Sequence, residues 1–170
     1  MGGERLQRLD ASTWEEIKVP FEYRKDALMD IRTSPDGAFI SLHYFQSGTR
    51  VMTEDFGRVV GYGQGQVAFL PGGKDVAVVR RASVAVYGLA TGDEKHLFDF
   101  GASGLAYASD GSELCSSDSG GLFRYSTETW RPAKDRVAHR QHSAPQEFAF
   151  SPTGNFGPSV KFAGWIAAGI

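Results

Sequence analysis

The chain has 170 residues, 41% of them hydrophobic and 22% charged, with 18 basic side chains against 20 acidic ones and a formal net charge of −2. These are ordinary globular values over a length that suits one domain, and they exclude wholesale disorder. The balanced charge argues against a general nucleic-acid binder or a polybasic membrane module, and the single cysteine, Cys115, has no partner for an intramolecular disulfide.

No apolar run reaches the roughly 20 residues needed to span a bilayer. The N-terminus lacks a signal-peptide core, and Leu6 stands where a myristoylation motif wants serine or threonine. The expectation is an intracellular protein, cytoplasmic in the first instance with the nucleus left open.

In chain order, strand-like runs alternate with two kinds of turn. Leu6–Asp10 leads through Ser12-Thr13-Trp14-Glu15 to Ile17–Val19. Leu28–Ile31 leads through Ser34-Pro35-Asp36-Gly37 to Phe39–Tyr44, and Arg50–Thr53 through Asp55-Phe56-Gly57-Arg58 to Val59-Val60. The pair of turns then recurs. Val67–Phe69 precedes Leu70-Pro71-Gly72-Gly73 and Val76–Val79, and Val84–Tyr87 precedes Ala90-Thr91-Gly92-Asp93 and His96–Phe98. It recurs again as Ala108-Ser109-Asp110-Gly111 after Leu105–Tyr107, and as Glu128-Thr129-Trp130-Arg131 after Leu122–Ser126. Phe148–Phe150 and Ser151-Pro152-Thr153-Gly154 open a further round.

Proline presets φ at the second position of such turns and glycine supplies the positive φ of a tight hairpin. The closing glycines, 37, 73, 111 and 154, lie 36, 38 and 43 residues apart. A period near 40 residues with four short alternating strands describes the blade of an all-β propeller. A β-sandwich with similarly spaced turns is the alternative, but it does not require two turn types to recur in phase.

Val84-Ala85-Val86-Tyr87-Gly88-Leu89-Ala90-Thr91-Gly92 resembles the third strand and following turn of the WD40 repeat, and Ser34-Pro35-Asp36-Gly37 resembles its first hairpin. The resemblance covers about residues 5–156, so the expected domains are 1–156 (WD40-like propeller repeats) and 157–170 (a divergent tail). No Trp-Asp dipeptide occurs. Leu9-Asp10, Met52-Thr53, Tyr87-Gly88 and Tyr125-Ser126 stand in its places, and no Gly-His pair precedes the blades. The family's His/Asp hydrogen-bond network is therefore expected to be missing.

What the resemblance implies is a non-catalytic scaffold binding a protein or peptide partner, with no cofactor and no metal. An accessory propeller of a hydrolase or other enzyme, with catalytic residues outside this chain, is the alternative. Counting strands gives about four blade-equivalents. The chain is then a piece of a larger propeller, or completes a ring with copies of itself, or closes alone.

Other motifs yield little chemistry. Ser117-Asp118-Ser119-Gly120-Gly121 resembles a serine-protease nucleophile motif, but no base histidine has the matching context, and a glycine-rich turn between second and third strands is simpler. Gly61-Tyr62-Gly63-Gln64-Gly65 has no helix after it, as a phosphate loop requires, and reads as a connection between blades. Glu15-Glu16 and Asp93-Glu94 read as solvated acids. Asp30 is the one clear acid on an innermost strand. His139 and His142 lack a third zinc ligand.

The candidate partner-binding loop is the basic stretch holding Trp130, Arg131, Lys134, Arg136, His139, Arg140 and His142, at the root of the longest connector. Trp14 and Trp130 occupy equivalent turn positions and are expected to pack between blades.

Overall fold

A residue pattern with period 2 makes a strand with two distinct faces, and each alternating run between residues 28 and 126 forms one. The computed structural model describes residues 8–17, 26–118 and 121–132, with the backbone of 161–162 and 165–166. The strands are β1 (Arg8–Leu9), β2 (Glu16–Ile17), β3 (Leu28–Thr33), β4 (Phe39–Tyr44), β5 (Gly48–Thr53), β6 (Val59–Gly63), β7 (Val67–Phe69) and β8 (Asp75–Val79). They continue with β9 (Val84–Gly88), β10 (Glu94–Phe98), β11 (Gly104–Tyr107), β12 (Glu113–Asp118), β13 (Gly121–Ser126), β14 (Lys161–Phe162) and β15 (Trp165–Ile166). No helix occurs among the described residues.

The strands pair antiparallel with their sequence neighbours into β3–β6, β7–β10 and β11–β13, beside a β1–β2 hairpin and a β14–β15 hairpin. Two four-stranded sheets, a three-stranded one and an outer hairpin are the blades of a β-propeller in the expected phase. Among the described residues no strand links β11–β13 back to β1–β2.

The first turn type behaves as its residues require. Gly37, Gly73 and Gly111 take φ of 72°, 67° and 74°. Asp36 and Asp110 brace these turns by accepting the backbone N–H groups of Ala38 (3.1 Å) and Ser112 (2.9 Å). Accepting these bonds, together with those of Ser34 and Ser112 hydroxyls, holds both carboxyls below the ordinary aspartate value.

The second turn type departs from expectation. Glycine carries the positive φ only at Gly92 (79°), while Trp14 (59°), Phe56 (61°) and Trp130 (55°) carry it elsewhere. In three of the turns the same two bonds lock the loop. Trp14, Gly92 and Trp130 donate to the carbonyls of Asp10, Gly88 and Ser126 four residues back, and those residues donate to Glu15, Asp93 and Arg131.

Alternation along β8 and β9 divides the core between the seams. Val76, Val78, Ala85 and Tyr87 pack with Val51, Val60 and Val67 toward the preceding sheet. Ala77, Val79, Val84 and Val86 pack with Leu105, Tyr107, Leu114 and Tyr125 toward the following one. This sheet is apolar on both faces because it is covered on both.

Candidate functional site

Three successive repeats deliver the residues that begin their innermost strands to one place. Met29 and Asp30 come from β3, Gly65 and Gln66 precede β7, and Ala102 and Ser103 precede β11. Together with His43 of β4 they line a cleft of about 400 Å³. Relative to each repeat's turn, Met29, Gly65 and Ser103 are equivalent, as are Asp30 and Gln66.

A side-chain relay fixes one wall. The Thr49 hydroxyl, buried on β5, donates to the Gly65 carbonyl oxygen, and Thr49 Oγ1 itself lies 2.7 Å from His43 Nδ1. A hydroxyl has a single proton, so His43 Nδ1 must be the donor to Thr49. This His–Thr–carbonyl chain stands in a blade where the WD40 resemblance led to no histidine network; it links β4, β5 and the connector to β7.

Beside it Asp30, the cross-strand partner of His43, accepts from Arg32 Nε at 2.7 Å, while Arg32 also reaches the Val67 carbonyl of the next innermost strand at 3.2 Å. The acid on the innermost strands is thus half of an ion pair. Among the described residues no three His, Cys, Asp or Glu side chains gather as a metal site. The cleft offers a carboxylate, an amide, a hydroxyl and an imidazole beside the methionine thioether. That inventory can both donate and accept hydrogen bonds.

The structure separates the sequence-predicted loop residues. Lys134, Arg136, His139, Arg140 and His142 lie outside the described residues. Trp130 is half-buried, stacked on His96 (centroids 5.4 Å, 11°) and edge-on to Phe98 (5.8 Å, 75°), both on the outermost strand of the preceding sheet. It packs between blades, as expected. Trp14, at the equivalent position, is exposed, and the expectation fails there because no described strand lies beyond it.

Arg131 is exposed and holds the turn position that Arg58 holds two rounds earlier, with Asp93 between them. Arg58 uses that position to donate to the carbonyls of Ala90 (2.9 Å) and Leu89 (3.1 Å) in the following blade.

Other motifs resolve structurally. Gly61 to Gly63 belong to β6, so only Gln64 and Gly65 connect blades. A Cβ on Gly63 would come closer than 3.0 Å to Val78 and the Val79 carbonyl oxygen, and one on Gly61 would press the Tyr87 ring at 3.1 Å. The glycines let neighbouring sheets touch.

Asp118 pairs with Gly121 across the β12–β13 turn, where the protease-like motif lies; Ser119 and Gly120 are outside the described residues. Glu94 is not simply solvated but bonds Arg80 at 2.6 Å. Cys115 is buried on β12, and burial pushes its thiol up to about 12, far from thiolate reactivity.

Solved structures share this architecture. The mitotic checkpoint complex matches with a TM-score of 0.65 at 15% identity, covering 85% of this chain and 47% of that one. The structure of U3-55K matches with a TM-score of 0.59 at 13% identity, covering 72% and 42%. Kuenenia stuttgartiensis hydrazine synthase matches with a TM-score of 0.60 at 19% identity, covering 73% and 39%. The chain spans less than half the length of the solved chains it matches. No family model matches the sequence, and no match was found among curated proteins.

Proposed function

We propose that the chain is a non-catalytic, WD40-like scaffold that binds a protein partner through an extended peptide segment. The observation that carries this reading is the cleft in which three repeats present equivalent residues at the mouth of their innermost strands. A peptide crossing these strand ends meets polar groups already held in place by the Thr49 relay and the Asp30–Arg32 pair. Pre-organised groups lower the ordering cost of binding. The basic loop from Arg131 to His142 supplies a second, electrostatic contact for an acidic stretch of the same partner.

Selection from a random peptide library displayed on phage, with the purified chain immobilised, tests the reading. Enriched sequences should lose binding to a Gln66→Ala, Ser103→Ala double variant that melts like the parent. Binding that survives it places the partner elsewhere, and no enrichment at all sinks the peptide-scaffold reading.

The hydrazine synthase neighbour supports a second reading, an accessory propeller within an enzyme. On that reading the cleft would take a segment of the enzyme's own catalytic part.

A further inference from the structure

The three innermost strands carry an apolar residue at the same repeat position, three before the first residue of each turn: Ile31, Val67 and Leu105. Val67 and Leu105 are each 2% exposed, because the preceding sheet packs over them. Ile31 is 45% exposed and its same-face neighbour Met29 58%.

The outer part of that face does have a neighbour. Arg8 of β1 donates to the Glu54 carbonyl at 2.9 Å, and its guanidinium lies 6.0 Å from the Phe56 ring centroid. The hairpin β1–β2 is the outer half of a blade, and the inner half that would cover Met29 and Ile31 is missing among the described residues. Trp14 repeats the contrast at the rim, being 74% exposed where Trp130 is stacked.

We propose that this face is an interface with a second copy of the chain, so that two copies complete one propeller ring. The face continues, position by position, the inter-blade interface that the chain already makes twice within itself. Its alternation fits burial: Met29 and Ile31 are apolar, whereas Asp30 and Arg32, on the other face of β3, satisfy each other. The arc also has the right span. It superposes over 72–85% of its own length on 42–47% of two larger solved chains, a share that a second copy would double. Completion buries the open end faces of both copies at once. The face shares Met29 with the peptide cleft, but Ile31 does not line that cleft, so Ile31→Asp tests the assembly apart from peptide capture.

Light scattering coupled to size exclusion, over a concentration series of the full chain, tests it. A discrete species of twice 18.5 kDa is expected. Ile31→Asp should shift that species to monomer while cooperative unfolding persists. Met29→Glu, at the more exposed position, gives the same readout should Ile31→Asp fail to fold. A compact monomer at every concentration overturns the proposal. So do polydisperse aggregates, and so does a dimer that tolerates the charged variants.

Discussion

Among the described residues two seams join consecutive blades of three or four strands, and they are built from different chemistry. Between β3–β6 and β7–β10 the contact is close and largely backbone. The N–H groups of Gln64 and Gly65 both donate to the Val79 carbonyl (2.8 and 3.2 Å), Val79 donates back to Gln66 (2.9 Å), and Gly61 and Gly63 remove the side chains that would hold the sheets apart. Between β7–β10 and β11–β13 the contact is aromatic. Phe98 lies against Tyr125 (4.9 Å), Phe100 stacks on Tyr125 (5.0 Å, 12°), and Trp130 stacks on His96. The repeat therefore preserves geometry while exchanging the forces that maintain it.

The harshest way to break the comparison is Gly63→Ala. An added methyl meets Val78 and a carbonyl oxygen at less than van der Waals distance, and backbone cannot rotate away as a side chain can. A loss on the order of 3 kcal/mol is expected in urea-unfolding midpoints. A near-neutral result would mean that the first seam is no tighter than the second.

Trp130→Ala is the corresponding test of the aromatic seam, with an expected loss of about 2 kcal/mol, below the usual range for a fully buried tryptophan because this ring is half-buried. The φ of 55° sharpens it. Alanine keeps the left-handed strain and loses the rings, whereas glycine loses the rings and the strain together. Trp130→Gly should thus be less damaging than Trp130→Ala by about 1 kcal/mol. The reverse order would show that the turn conformation costs nothing here.

Arg58→Ala probes the polar edge of the first seam, where two carbonyls of the next blade lose their donor. Those carbonyls can rehydrate, so the expected loss is about 1 kcal/mol. Arg131→Ala, at the equivalent position, is the informative partner. If Arg131 serves only a bound partner, its substitution leaves stability unchanged and weakens peptide capture; a matching loss of stability would make it another inter-blade clamp.

Much of this architecture was legible because its determinants are local. Glycine at the end of each Ser-Pro-Asp-Gly-like turn has one conformational reason to be there, and alternation over five residues distinguishes two faces without knowledge of what covers them. β12 was harder to see, since Cys115, Ser116 and Ser117 are buried polar or small residues in a strand that pairs on both sides.

The second turn's geometry escaped notice because tryptophan and phenylalanine rarely take positive φ; only aligning Trp14 and Trp130 with Gly92 betrays it. Gly61-Tyr62-Gly63-Gln64-Gly65 misled in the opposite direction. Clustered glycines usually mark a connection, and here most are selected for the absence of a Cβ inside or beside a strand. The cleft was invisible in the sequence because its walls come from residues 29–30, 43, 65–66 and 102–103, and no local pattern joins them.

The smallest expected effect lies at the second seam, and its sign is the point. Tyr107 on β11 is 7% exposed, and its hydroxyl has no hydrogen-bond partner among the described residues. Burial, with the Asp75 carboxylate nearby, raises the phenol well above its ordinary value, so the ring stays neutral. A buried donor without an acceptor forfeits its bonds to water and gains none within the fold. Tyr107→Phe removes that liability and keeps the ring against Leu105, Leu114 and Tyr125. The expected change runs from nothing to a gain of about 1 kcal/mol, read as a rise in thermal midpoint. A loss of similar size would show that the hydroxyl is satisfied in solution by a buried water bridging toward Asp75, and the aromatic seam would then carry a polar anchor like the glycine seam's Val79 carbonyl.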